Sequence, residues 1–259
     1  MSNPFDYFDR IYCVHLPNQK RRPLMKAQFK RIGVASRVQY VHANPPPKGF
    51  SISNMRRSPR GEFGVNLSQI KAVVQAISDG AQRPLFFEDD VIFHENTLNL
   101  LTTSLRDLPD NWDILYMGGH PTGPIFNPQA TKFSETLAEV GKFSFADSYA
   151  FNEGRAKQFF DMWCNRITNK DAMYDFILGD FAKKKNAFCT YPLLCNQRPD
   201  ISQVDGKPDN KDSVIARAWT HHLGDEHARP EHTKIAFKWR RQNPEKWELL
   251  EKRRAQGHM

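Results

Sequence analysis

Pro84-Leu85-Phe86-Phe87 runs without a break into Glu88-Asp89-Asp90. Four apolar residues in succession read as a strand buried on both faces. Three adjacent carboxylates repel one another, so a compact protein rarely keeps them beside such a strand without a cation. In open α/β sheets, ligands bind beyond the carboxyl ends of strands, and the triplet stands at such an end.

The rest of the chain supplies the sheet that this strand needs. Ile11–Leu16 is a short run with β-branched and aromatic residues, bounded by Pro17 and Asn18, and reads as a buried strand. A helix to Ile32 follows, stopped by Gly33, and Val38–His42 is a second strand. Leu67, Ile70, Val74 and Ile77 form one apolar stripe of a helix over 66–80, with Gly80 in the capping position. Strands are expected at Asp113–Met117, Phe145–Phe151 and Ala187–Tyr191, with helices near 153–165 and 171–184. This alternation predicts an α/β domain with a largely parallel sheet and helices on both faces. The segment 44–61, with four prolines and two glycines, reads as a loop long enough to have a function of its own.

Length and charge narrow the partners. At 259 residues the chain accommodates one domain with an appendage, at about 150 residues per domain. No apolar run approaches the ~18–20 residues of a membrane span, and the N-terminus lacks the pattern of a signal peptide. Four scattered cysteines without a C-x-x-C pair suit a reduced compartment, so a cytoplasmic protein is expected. Net charge is +8, and the excess is local: between Arg10 and Gly61 there are twelve Lys or Arg and no Asp or Glu. A second basic stretch, Lys234 to Arg254, carries Trp239 and Trp247. Such a field favours sugar nucleotides, nucleic acid or an anionic membrane surface, and by itself does not choose among them.

Carboxylate oxygens suit hard divalent ions such as Mn²⁺ or Mg²⁺, which are typically shared with substrate phosphates. In an extended segment Glu88 and Asp90 face one pocket while Asp89 faces away. The alternative is an acidic turn in which Asp89 or Asp90 caps a helix.

The segment Phe86-Phe87-Glu88-Asp89-Asp90-Val91 resembles the L-E-D-D-V segment of glycosyltransferase family 25, the lipooligosaccharide and procollagen galactosyltransferase group. Other pieces agree in order. His15-Leu16-Pro17 through Arg21-Arg22-Pro23-Leu24-Met25 resembles N-L-x-R-x-x-D-R-R-x-x-M. Gly64 through Ala72 resembles G-C-A-L-S-H-x-K-A, and Tyr149-Ala150-Phe151-Asn152 with Gly154 and Ala156 is similar to Y-x-I-S-x-x-G-A. Asp175-Phe176-Ile177-Leu178 resembles D-x-x-L, and Tyr191-Pro192 with Gln197 resembles Y-P-x-x-x-Q. The resemblance covers residues 10 to 206. His15 replaces the family's Asn, Gln69 its His, and Ser202-Gln203-Val204 its S-D-I, while the basic turn is one residue short.

The resemblance implies a GT-A type, Rossmann-like domain over 1–206; 207–259, which it does not reach, reads from its residues as a basic C-terminal helical extension. The resemblance also implies transfer of a hexose, galactose or glucose, from a UDP-sugar to an acceptor hydroxyl with inversion. Glu88 and Asp90 would hold Mn²⁺ or Mg²⁺. Leu16, Arg21, Arg22, Ser68, Asp89 and Gln197 would line the donor site, where guanidinium forks suit phosphate oxygens. A surface salt bridge is the alternative for either arginine, and a helix cap for Ser68. Asp175 is the candidate base and Asp147 its reserve; for Asp175 the alternative is a carboxylate stabilising a helix N-terminus. His221, His222, His227 and His232 do not have zinc-site spacing and stay outside the expected site. A saccharide or glycolipid acceptor, as in lipopolysaccharide biosynthesis, is the main expectation. A hydroxylated base in phage or viral DNA, or a non-catalytic domain binding nucleic acid or an anionic surface, are the alternatives.

Overall fold

The computed structural model describes residues 3–16, 21–43, 59–122, 129–144, 147–166, 173–198, 200–201 and 208–209. A 3-10 turn at Pro4–Tyr7 leads into β1 (Arg10–His15), α1 (Arg21–Arg31), β2 (Val38–His42), α2 (Pro59–Ser78), β3 (Pro84–Glu88), β4 (Val91–Phe93) and α3 (Thr97–Asp107). Then come β5 (Ile114–Tyr116), β6 (His120–Pro121), β7 (Ala130–Lys132), β8 (Leu137–Val140), β9 (Phe143–Ser144) and β10 (Ser148–Phe151). The chain continues through α4 (Arg155–Arg166), α5 (Tyr174–Ala182), β11 (Ala187–Thr190), β12 (Cys195–Gln197), β13 (Asp200–Ile201) and β14 (Pro208–Asp209).

Eight strands form one sheet in the order β2-β1-β3-β10-β5-β11-β8-β7. The pairings β1–β2, β1–β3 and β5–β11 are parallel, whereas β10 and β8 run against their neighbours. Six of the eight strands therefore point one way, and the sheet is mixed rather than wholly parallel. A reversed strand at β10 has a consequence for position. Its first residue, Ser148, sits opposite Phe87, so the loop entering β10 lies at the edge where β3 ends.

Strand alternation divides the core. Phe86 faces the layer built by Ile70 and Val73 of α2, Phe159 of α4 and Ile177 and Phe181 of α5. Phe87 faces the opposite layer with Phe5, Met25 and Phe29 of α1, Phe93 and Leu101. Both neighbours in sequence are buried on opposite sides, which is why the strand reads as an unbroken apolar run. Phe86 stacks between Tyr12 at 5.4 Å and Tyr149 at 5.0 Å.

Helix α2 begins earlier than the apolar stripe indicates. Pro59 opens it, a position where the missing N–H costs nothing. The last three residues of the expected 44–61 loop therefore belong to the helix, and residues 44–58 lie outside the described residues. Gly80 closes it at φ 66°, with Ala81 N–H donating to Ala76. The β4 strand, helix α3 and the β7–β8 hairpin exceed the sequence expectation. The basic extension from 210 onwards, with its histidines, lies outside the described residues. Among the described residues no helix is long and apolar enough to cross a membrane.

Candidate active site

The carboxyl ends of β1 and β3 and the entry to β10 converge on one edge of the sheet. Glu88 N–H donates to the Asp147 carbonyl at 2.9 Å, and Met117 N–H to the Ser148 carbonyl at 3.0 Å. Leu194 and Cys195, leading into β12, donate in turn to the Met117 carbonyl. Leu16, the acidic triplet, Asp147 and Gly118 are brought together by these backbone bonds.

Within the triplet, Asp89 and Asp90 share one partner. Strand β3 ends at Glu88 and the chain turns over 89–90, so the two-residue alternation of side chains stops there. Arg21 Nη1 donates to Asp89 Oδ1 at 2.7 Å and to Asp90 Oδ2 at 3.3 Å. Asp89 Oδ2 accepts the Leu16 N–H at 3.0 Å. Arg21 is buried and faces the acids. Arg22 is exposed, and its guanidinium lies 5.3 Å from the centre of the Tyr40 ring.

Glu88 is held separately by neutral donors. Gln69 Nε2 donates to its Oε1 at 2.9 Å, and Gln197 Nε2 to its Oε2 at 2.8 Å. Gln197 arrives on β12, which pairs with β4; the next residue, Arg198, donates its N–H to the Asp90 carbonyl. Behind Gln69 the chain of bonds continues into the core. Tyr149 O–H donates to Gln69 Oε1 at 3.3 Å, and the Tyr149 and Tyr174 hydroxyls are 2.5 Å apart. Because Tyr149 gives its proton to Gln69, Tyr174 must be the donor to Tyr149. Burial pushes both phenols well above their ordinary range, reinforced for Tyr149 by the charges of Glu88 and Asp175, so both remain protonated.

Asp175 stands in the first turn of α5, beside Tyr174. Its charge contributes to the raised values of Tyr116, Tyr149 and Tyr174, after the larger effect of burial. Asp147 is fully buried. A Cβ on Gly118 would lie 3.2 Å from Asp147 Oδ2 and 2.9 Å from the Cys195 carbonyl, so only glycine fits there without displacement. Ser68 lies well inside α2 rather than near its start, and its hydroxyl donates to the Gly64 carbonyl four residues back at 2.5 Å. What it offers a ligand is acceptor lone pairs alone.

His15 closes β1 opposite His42, and their rings are 4.5 Å apart. Its Nδ1 lies 2.9 Å from the Leu16 carbonyl and its Nε2 is buried without a hydrogen bond. Burial lowers its pKa; the Leu16 carbonyl works the other way, while His42 and Arg22 lower it further.

The donor chemistry suits a hard divalent ion. Glu88 and Asp90 carry carboxylate oxygens, the ligand type such an ion takes. Among the described residues no group of three or more His, Cys, Asp or Glu converges as a self-contained metal site. An ion held here would take the rest of its shell from phosphate and water, the usual habit of Mg²⁺ sites.

Of the expected site residues, Leu16, Arg21, Asp89 and Asp90 form one bonded set and Glu88 with Gln197 a second, joined to the first by the Arg198 N–H on the Asp90 carbonyl. Ser68 shares α2 with Gln69. Gln69 itself is the member that sequence reasoning passed over: it entered only as a departure from the resembled pattern. Tyr149 stands in the sequence only as a strand aromatic, and no local signal joins it to Tyr174.

No family model matches the chain. By sequence it is 27% identical over 192 residues to the procollagen lysyl hydroxylase and glycosyltransferase of Acanthamoeba polyphaga mimivirus, a match covering 65% of this chain. The match takes in 21% of that protein, so the chain corresponds to about a fifth of its relative's length. Among solved structures, one similar chain is a glycosyltransferase involved in the glycosylation of the major capsid of PBCV-1, with a TM-score of 0.40 and 11% identity, covering 83% of this chain and 91% of that one. Another is the galactosyltransferase LgtC in complex with donor and acceptor sugar analogues, with a TM-score of 0.41 and 11% identity, covering 84% of this chain and 95% of that one.

Proposed function

We propose that the chain is a metal-dependent glycosyltransferase that moves a hexose from a UDP-sugar to an acceptor hydroxyl with inversion. The observation that carries this reading is the bonded cluster at the carboxyl end of β3, in which Arg21 meets Asp89 and Asp90 while two amides orient Glu88. The sequence similarity to a protein whose name includes a glycosyltransferase supports the same reading.

Glu88 and Asp90 are the residues that would hold Mn²⁺ or Mg²⁺. The ion supplies neutralisation of the diphosphate as it leaves. Arg21 holds Asp89 and Asp90 in place; Arg22, exposed at the start of α1, is free to approach a phosphate. Leu16, Ser68, Asp89 and Gln197 shape the donor side. Asp175 takes the proton of the acceptor hydroxyl as its oxygen bonds to the anomeric carbon and the bond to the diphosphate breaks. A carboxylate within hydrogen-bond reach contributes ~10²–10⁴ in rate. Asp147 is the reserve for that role.

A screen for UDP release over several UDP-sugars, with Mn²⁺ present, tests the reading. Donor hydrolysis even without acceptor supports it. No UDP binding at millimolar nucleotide rejects it and leaves the non-catalytic alternative.

One observation motivates a nucleic-acid acceptor as a second reading. Arg22, Lys26 and Lys30 are exposed at i, i+4 and i+8 on α1, and among the described residues none of them forms an ion pair. They span about 12 Å at the helical rise of 1.5 Å per residue. Affinity for DNA that falls linearly in log salt would favour this acceptor, and no binding at low salt would remove it.

A further inference from the structure

We infer that Gln69 is a positioning residue that locks Glu88 to the helix carrying Asp175, and that it does so by bridging one donor and one acceptor. The inference rests on the proposed transferase reading and adds to it Tyr149 and Tyr174, which that reading does not use.

The bridge is built from four elements. Glu88 ends β3, Gln69 lies on α2, Tyr149 on β10, and Tyr174 opens α5 immediately before Asp175. Their bonds form one directed series: Tyr174 donates to Tyr149, Tyr149 to Gln69 Oε1, and Gln69 Nε2 to Glu88 Oε1. The Glu88 carboxylate, which can only accept, decides which way the Gln69 amide points, and Tyr149 anchors the carbonyl that this leaves facing the core. Turned over, the amide would set oxygen against carboxylate; with its nitrogen on Glu88, its carbonyl is left to accept from Tyr149. Gln197 fixes the second oxygen of Glu88 from the other side. A carboxylate held on both oxygens by side chains from α2 and β12 keeps one plane. Neutral amides orient it without cancelling its charge, which the proposed cation needs.

The same series ties the two halves of the proposed chemistry. Glu88 belongs to the donor side and Asp175 to the acceptor side, and both press electrostatically on the Tyr149 hydroxyl between them. A shift of Glu88 relative to α5 has to break a bond within this series. Residues that orient a metal-holding carboxylate from behind typically change metal affinity or activity 10–100-fold when removed.

A neutral histidine also offers one donor and one acceptor on opposite sides of its ring. It is therefore the replacement that preserves the bridge, while leucine preserves only the bulk. The test is calorimetry of UDP with Mn²⁺ on the full chain, together with UDP-release kinetics, for wild type, Gln69→Leu, Gln69→His and Tyr149→Phe. The expected result is ~10–100-fold weaker UDP–Mn²⁺ binding in Gln69→Leu. Gln69→His is expected to bind within about threefold of wild type, by the shared donor and acceptor pair. Tyr149→Phe keeps the ring in its stack and removes only the hydroxyl, so it serves if Gln69→Leu does not fold; binding falls because the Gln69 carbonyl loses its anchor and the amide can swing away from Glu88. Wild-type affinity in Gln69→Leu or in Tyr149→Phe overturns the positioning role alone, as does a Gln69→His variant no better than Gln69→Leu. A wild-type protein that binds no UDP overturns the transferase reading, and the positioning role with it.

Discussion

Arg21 Nη1 lies 2.7 Å from Asp89 Oδ1, with both side chains only 8% exposed. The same nitrogen reaches Asp90, so one buried cation organises two carboxylates of the triplet. Removing one partner of such a pair leaves a charge buried and unmatched, at a cost of about 3–5 kcal/mol. Arg21→Met is expected to destabilise the protein by that amount, read from urea denaturation. The double variant Arg21→Met, Asp89→Leu is expected to recover much of the loss, because the buried carboxylate goes as well.

Asp90→Ala is expected to abolish Mn²⁺-dependent UDP release, with a melting temperature close to that of wild type. Asp175→Asn is expected to lower turnover by ~10²–10⁴ while UDP affinity is retained. Were Asp147→Asn to produce that kinetic split instead, the base would be assigned to Asp147.

His15 carries a pH prediction. Its folded pKa is lowered from 6.5, first by burial, so the unfolded chain binds the proton more readily. Stability associated with the neutral ring is present above about pH 6.5 and is lost as the pH falls below it. Thermal denaturation at pH 7.5 and pH 5 should show this loss in wild type, and His15→Asn should flatten part of it.

Gly118→Ala places a methyl group 2.9 Å from the Cys195 carbonyl and 3.2 Å from Asp147. One neighbour is backbone and the other a fully buried carboxylate, so little can yield. A destabilisation of about 1–3 kcal/mol is expected. Because the strain falls on the segment leading to Gln197, UDP affinity should drop alongside stability; an unchanged affinity would separate that segment from the site.

Much of the fold is legible along the chain because its signals are local. The apolar run at 84–87, the helical stripe from Leu67 to Ile77 and Gly80 behind it each mark an element within a few residues. The reach of α2 back to Pro59 was hidden by Pro59 and Gly61, which read as loop residues. The two reversed strands were hidden for another reason: strand direction depends on which partners meet, and hydrophobic pattern does not encode it.

The sequence by itself determined that three carboxylates stand at the mouth of a buried strand and that a basic turn precedes them. A residue's charge and its immediate neighbours suffice for that. Only the tertiary structure decided how the charges are shared. Arg21 is 68 residues from Asp89, Gln69 is 19 from Glu88, and Gln197 is 109 from it. Contacts across such separations arise when the sheet closes and sets strand ends side by side, so the pairing of Asp89 with Asp90 on one guanidinium, and of Glu88 with two amides, is a property of the packed edge.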